Sequence, residues 1–128
     1  MNNRKSFIVG IKSTKLSTKE KIFLKRYKPW GVILFTRNIK DIKQTFNLTS
    51  SIRKIFNDKK YPILIDQEGG RVNRLKNIIS FDNLTSEFFG DRYIKNFKEF
   101  KFIYKLFIDK TSYLLKLIGI NINTSPVL

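Results

Sequence analysis

Apolar residues in this chain gather in short unbroken runs, separated by stretches in which they recur at helical spacing. Ser6 to Ile11 is one such run, with β-branched residues, and reads as a buried strand. Gly31-Val32-Ile33-Leu34-Phe35-Thr36 is a second and lacks polar alternation, so both of its faces are expected to be covered. Tyr61-Pro62-Ile63-Leu64-Ile65 is a third and Ile120-Asn121-Ile122-Asn123 a short fourth. Between the first two, Ser17-Thr18-Lys19-Glu20 fits the S-x-x-E capping box, which satisfies free backbone N–H groups at a helix start. The helix it opens is predicted to reach about Tyr27 and to stop at Pro29. From Asp41 to Asn57-Asp58 the spacing predicts another helix, with Ile42, Phe46, Ile52 and Phe56 near one face. Lys76 to about Tyr93 reads as irregular. A long helix then follows over roughly Lys95 to Leu117, with Ile103, Leu106, Phe107, Leu114 and Leu117 inward and Gly119 accepting the left-handed backbone at its end.

Strand, helix, strand, helix, strand, long connection with helix, strand is the grammar of a parallel α/β sheet with right-handed crossovers. At 128 residues the chain suits a single domain but not a complete eight-unit barrel, which needs about 250. About four βα units over residues 1–128 amount to half of such a barrel. A doubly wound sheet shares the grammar, but no G-x-G-x-x-G follows the first strand, so a dinucleotide site has no support.

Composition changes this picture little. The formal charge of +16 invites a nucleic-acid reading, since Lys and Arg supply most non-specific phosphate affinity. Yet the chain has no alanine, abundant Ile, Asn and Phe, and 19 Lys against 7 Arg, the mark of a coding sequence biased toward A and T. The lysines are dispersed over every predicted element and form no stripe, so no nucleic-acid partner is expected; no segment approaches the roughly 20 apolar residues of a membrane helix, so no membrane partner is expected either. Cysteine is absent, which excludes disulfides and thiolate metal sites. Phe7-Ile8-Val9 is too short for a signal-peptide core, and the cytoplasm is the expected compartment.

Candidate chemistry lies after the third run, where Asp66-Gln67-Glu68-Gly69-Gly70-Arg71 follows directly. In parallel α/β folds ligands bind at the carboxyl ends of the strands, and a carboxylate at Asp66 would stand there to accept hydrogen bonds from ligand hydroxyls. Gly69-Gly70 permits a sharp turn, and Arg71 and Arg74 return guanidinium groups toward the acidic cluster. A ligand site and a surface salt-bridge network that merely fixes the loop explain these residues equally well.

Asp66-Gln67-Glu68-Gly69-Gly70-Arg71-Val72-Asn73-Arg74-Leu75 resembles the D-Q-E-G-G-R-V-x-R-L signature of the bacterial family 3 glycoside hydrolases of the β-N-acetylhexosaminidase type. Gly31 to Ile39 is similar to their G-V-I-L-F-x-R-N, and Leu117 to Asn121 with Pro126-Val127-Leu128 to their L-G-I-N…P-V-L. Departures are small: Lys12-Ser13-Thr14 stands where a glycine is common, and Phe81 to Asp91 is poor in proline.

The resemblance implies the first half, about four βα units, of a truncated (β/α)8 TIM-type barrel, and a hydrolase that removes terminal N-acetylglucosamine from cell-wall fragments, without cofactor or metal. It implies that Asp66 and Arg74 contact the sugar, with Glu68 and Arg71 as loop support; Arg37 and Asn38 are read as architectural. The family's aspartate nucleophile and its histidine–aspartate acid–base pair lie beyond the position matching Leu128, so no catalytic residue is expected within this chain, which has no histidine. The expected partners are an N-acetylglucosamine-containing saccharide and a second chain supplying the rest of the barrel. The alternative is a non-catalytic remnant or sugar-binding fragment.

Overall fold

The computed structural model of the chain describes residues 4–125, so the Pro126-Val127-Leu128 match lies outside the described residues. Strand β1 (Lys5–Gly10) leads to helix α1 (Thr18–Tyr27), strand β2 (Pro29–Leu34), a 3-10 turn (Thr36–Asn38), helix α2 (Ile42–Phe56) and strand β3 (Ile63–Ile65). Helices α3 (Ser86–Lys95) and α4 (Phe97–Leu117) precede strand β4 (Ile122–Asn123). All neighbouring strands are parallel and the sheet order is β1-β2-β3-β4, an α/β arrangement.

Local chemistry sets the boundaries. Ser17 caps α1 and Glu20 closes the capping box, with its carboxylate accepting from the Ser17 N–H at 2.8 Å. Lys28, at φ 48°, ends α1 in the left-handed region, and Pro29 opens β2 instead of merely stopping the helix. Asp41 caps α2 by accepting from the Gln44 N–H at 2.7 Å, and Asn57, also at φ 48°, ends it. Asn tolerates that conformation because its short polar side chain bonds locally.

Three expectations need correction. β1, read as a buried strand, is exposed or only partly buried along its whole length. The stretch read as irregular from Lys76 to Tyr93 contains α3, which Thr85 caps by accepting from the Phe88 N–H at 3.0 Å. Asn96 ends α3 in extended backbone and caps α4, so the long helix expected over roughly Lys95 to Leu117 is present and begins at Phe97. Phases also differ. On α2 the buried residues are Thr45, Leu48, Thr49 and Ile52, while Ile42 and Phe46 are exposed. At about 100° per residue, Phe46 lies about 120° around the helix from Ile52. On α4 the buried residues are Phe107, Thr111 and Leu115, while Leu106 and Leu117 face outward. The Thr49 hydroxyl donates to the Ile118 carbonyl at 2.9 Å, tying α2 to the C-cap residue of α4.

The core joins β2 and β3 (Val32, Leu34, Ile63, Ile65) to Leu24, Ile52, Phe107, Leu115 and Ile118. At the amino end of the sheet Tyr61 is wholly buried, stacks on Phe56 at 3.9 Å, and donates its hydroxyl to the Pro29 carbonyl at 2.8 Å. Burial raises the phenol to about 12. Arg4 lies over the Tyr61 ring and pairs with Asp58. This end is an architectural plug, which leaves the carboxyl end for polar loops.

Candidate functional site

Asp66 follows the last residue of β3, and Phe35 follows the last residue of β2, so both open loops on the carboxyl rim. Arg74 returns to the same rim eight residues on. Its Nε donates to Asp66 Oδ1 at 2.8 Å and its Nη2 to Oδ2 at 2.7 Å, a bidentate pair. The Arg74 guanidinium also lies over the Phe35 ring, 5.6 Å from its centre. Phe35 and Arg37 sit above Gly10 at the end of β1: a Cβ there would lie 3.2 Å from the Phe35 ring and 3.3 Å from the Arg37 guanidinium. Three strand ends thus converge beneath one rim.

The pair is partly open, with side-chain exposures of 28% for Arg74 and 24% for Asp66. Hydrogen bonding from Arg74 holds the Asp66 carboxyl below its ordinary value, so it stays ionised and retains lone pairs for further acceptance. Hydrogen bonding to Asp66, aided by the charges of Asp66 and Glu68, raises Arg74. An open cavity of about 510 Å³ lies against Arg74, with Thr36, Arg71, Asn73 and Asp82 also in its wall and Asp66 outside it. Its volume suits a small polar ligand.

The loop between Asp66 and Arg74 is built from backbone and amides. Gly69 at φ +94° and Gly70 at φ +57° make the turn, and the Glu68 and Gly69 N–H groups donate to the Val72 carbonyl at 3.1 and 3.3 Å. Gly70 N–H donates to the Phe81 carbonyl at 2.9 Å. Gln67 is almost wholly buried, and its Oε1 accepts from the Leu75 N–H at 3.0 Å. Asn73 donates to Asp82 at 3.1 Å. Arg71 is exposed on the cavity wall, and Glu68 acts on Arg74 through charge; the fixed contacts of the loop run through Gln67, Asn73 and Asp82 instead.

Arg37 and Asn38 stitch the rim. Asn38 is wholly buried; its Nδ2 donates to the Ile11 and Ser13 carbonyls at 3.1 and 3.0 Å, and its Oδ1 accepts from the Phe35 N–H at 2.9 Å. Arg37 donates to the Ile11 carbonyl at 3.1 Å. Asn123 went unnoticed in the sequence: its amide pairs with the backbone N–H and carbonyl of Gln67, both at 3.0 Å. Only the N-x-N alternation after Gly119 hinted at it. Among the described residues no group of His, Cys, Asp and Glu is placed to hold a metal ion, and no helix is long and apolar enough to cross a membrane.

The chain matches no protein-family model. It is similar to a β-hexosaminidase of Alkalilimnicola ehrlichii, 39% identical over 71 residues, a segment that is 54% of this chain and 20% of that protein. The matched segment thus spans about a fifth of such relatives' length. Among solved structures, native NagZ from Neisseria gonorrhoeae superposes with a TM-score of 0.80 at 25% identity, over 96% of this chain and 36% of that one. The same organism's NagZ in complex with N-trifluoroacetyl-D-glucosamine gives a TM-score of 0.52 at 34% identity, over 59% of this chain and 22% of that one.

Proposed function

We propose that this chain is the N-terminal part of a family 3 glycoside hydrolase of the β-N-acetylhexosaminidase type, forming the first half of its (β/α)8 barrel and the sugar-holding side of its site. The observation that carries the reading is the loop from Asp66 to Leu75, which resembles the family signature and folds into a bidentate Asp66–Arg74 pair on the carboxyl rim, with Arg74 lining an open cavity. The likeness to native NagZ over 36% of that chain supports the half-barrel. The N-trifluoroacetyl-D-glucosamine bound by a related NagZ supports an N-acetylglucosamine-containing substrate.

In this reading Asp66, held ionised, accepts hydrogen bonds from sugar hydroxyls, and Arg74 donates to the same ring. Pairing in advance fixes both side chains before the sugar arrives, which lowers the ordering cost of binding. Arg71, on the cavity wall, faces the bound saccharide, and Glu68 strengthens the charge of Arg74. Retaining hydrolysis needs a carboxylate nucleophile and a proton donor flanking the bond. The chain contains no histidine, so the family's acid–base group comes from further polypeptide, either the rest of a longer chain or a second chain. Release of N-acetylglucosamine from cell-wall fragments in the cytoplasm is the activity of the completed barrel.

The test is a chromogenic β-N-acetylglucosaminide assay on the 128-residue polypeptide, alone and co-expressed with the remaining barrel of a relative. Binding without turnover alone, turnover on completion, and loss of that turnover in Asp66→Ala are expected. Turnover by the polypeptide alone that vanishes in Asp66→Ala would overturn the division of labour. Sugar binding that never becomes turnover on completion would favour the non-catalytic fragment.

A further inference from the structure

Asn123 makes two hydrogen bonds to a single residue. Its Oδ1 accepts from the Gln67 N–H and its Nδ2 donates to the Gln67 carbonyl, both at 3.0 Å. A side chain therefore pairs with Gln67 as a neighbouring strand would, just past the last β3–β4 pair, Ile65 with Asn123. Gln67 is 1% exposed, and its Oε1 accepts from the Leu75 N–H. Asp66 precedes Gln67 and Arg74 precedes Leu75. One buried side chain thus fixes the separation of the two residues whose side chains form the bidentate pair.

We infer that Asn123 and Gln67 are positioning residues: Asn123 locks the Gln67 peptide from β4, and Gln67 sets the spacing at which Asp66 and Arg74 meet the sugar. This rests on the reading of Asp66 and Arg74 as the sugar-contacting pair. Asparagine suits the role because its amide offers both a donor and an acceptor, where aspartate could only accept. Gln67 suits it because its carbonyl spans from the end of β3 to the far arm of the loop.

The residue just before β4 supplies a control. Asn121 makes a similar clamp at the other end, accepting from the Ile63 N–H at 2.8 Å and donating to the Lys60 and Tyr61 carbonyls at 3.2 and 3.1 Å. Removing it costs comparable hydrogen bonding without touching the loop from Asp66 to Leu75.

The experiment is NMR on the isotope-labelled full chain, following solvent exchange of the Arg74 Nε–H and titration of the Asp66 carboxyl, with thermal melts alongside. In Asn123→Ala and Gln67→Leu the Arg74 Nε–H should exchange roughly tenfold faster, the change that one lost hydrogen bond produces. The Asp66 carboxyl should then return toward its ordinary 3.8. Asn123→Asp keeps the acceptor for the Gln67 N–H and should fall between wild type and Asn123→Ala. Asn121→Ala should lower the melting temperature comparably and leave both Arg74 and Asp66 unmoved. An unchanged Arg74 signal in folded Asn123→Ala, or an equal shift in Asn121→Ala, overturns the inference. Should Asn123→Ala fail to fold, Asn123→Asp decides it, since a wild-type Arg74 signal in that variant is the overturning result. None of these readouts uses sugar. Titration of the wild-type chain with N-acetylglucosamine tests the functional reading separately: absence of binding alongside a displaced Arg74 refutes the sugar site and leaves the positioning intact.

Discussion

Replacing Gly69 by alanine strikes the turn that brings Arg74 back to Asp66. Gly69 has φ +94°, and a Cβ added there would lie 2.5 Å from the Leu84 carbonyl oxygen and 3.4 Å from the Phe107 ring. A left-handed backbone costs a residue with a Cβ roughly 1–2 kcal/mol. Leu84 O is backbone and cannot swing aside as a side chain would, so relieving the contact resembles overpacking, at about 1–3 kcal/mol. The sum, about 2–5 kcal/mol, is a large share of the ~6–19 kcal/mol implied for a chain of this size. Gly90 provides the opposite case. It lies inside α3, with open space where its Cβ would go, so Gly90→Ala should stabilise by about 0.8–1.0 kcal/mol through helix propensity alone. Urea unfolding read at constant m-value measures both. Gly69→Ala within about 0.5 kcal/mol of wild type, the range of ordinary surface changes, would refute the strained turn. A loss of stability in Gly90→Ala would refute the open helix face.

Asp66 titrates below its ordinary 3.8 because Arg74 holds its charged form, so its contribution to stability is complete above the unfolded carboxyl's range and disappears as pH falls through the lower folded value. Acid unfolding of Asp66→Asn should therefore be less steep below about pH 4 than that of wild type, and an identical acid limb would contradict the pairing. Asn38→Ala strands the Phe35 N–H and the Ser13 carbonyl and leaves the Ile11 carbonyl to Arg37 alone, and should lower unfolding free energy by about 2 kcal/mol in the same urea assay. A smaller loss would mean that water replaces the amide. Dispersed lysine predicts that binding to duplex DNA is weak and falls by orders of magnitude as salt rises from about 50 to 200 mM; tight binding to one sequence at physiological salt would defeat the compositional account of the charge.

The four strands, their order and the shared rim of Asp66 and Arg74 are legible in the sequence, because each apolar run is short, bounded, and followed by a turn or a capped helix. Helix α3 is not. Its N-cap, Thr85, follows the polar Asp82-Asn83, and Gly90 interrupts its propensity, so tertiary packing of Phe89 had to supply what periodicity lacked. The phases of α2 and α4 are misread for a related reason: threonines at 45, 49 and 111 look polar in sequence yet are buried. Contacts such as Asn123 to Gln67 join residues 56 apart, and no local pattern encodes them. The D-Q-E-G-G-R-V-x-R-L run announces Asp66 and Arg74 but not the amides beneath them.

Each strand of this sheet pairs with the strand that precedes it in the chain, in parallel, with no later strand inserted between earlier ones. A ribosome therefore delivers every strand after its partner has already emerged. β2 can dock on β1 once α1 has formed, β3 on β2, and β4 on β3, so the growing sheet always presents one ready edge and never has to reopen a completed pair. Long crossovers make such parallel pairing slow in a full-length chain refolding from denaturant, where all four strands compete at once. Synthesis at about 5–20 residues per second gives each pair seconds before the next arrives, so vectorial synthesis should yield more native sheet than dilution of the finished polypeptide.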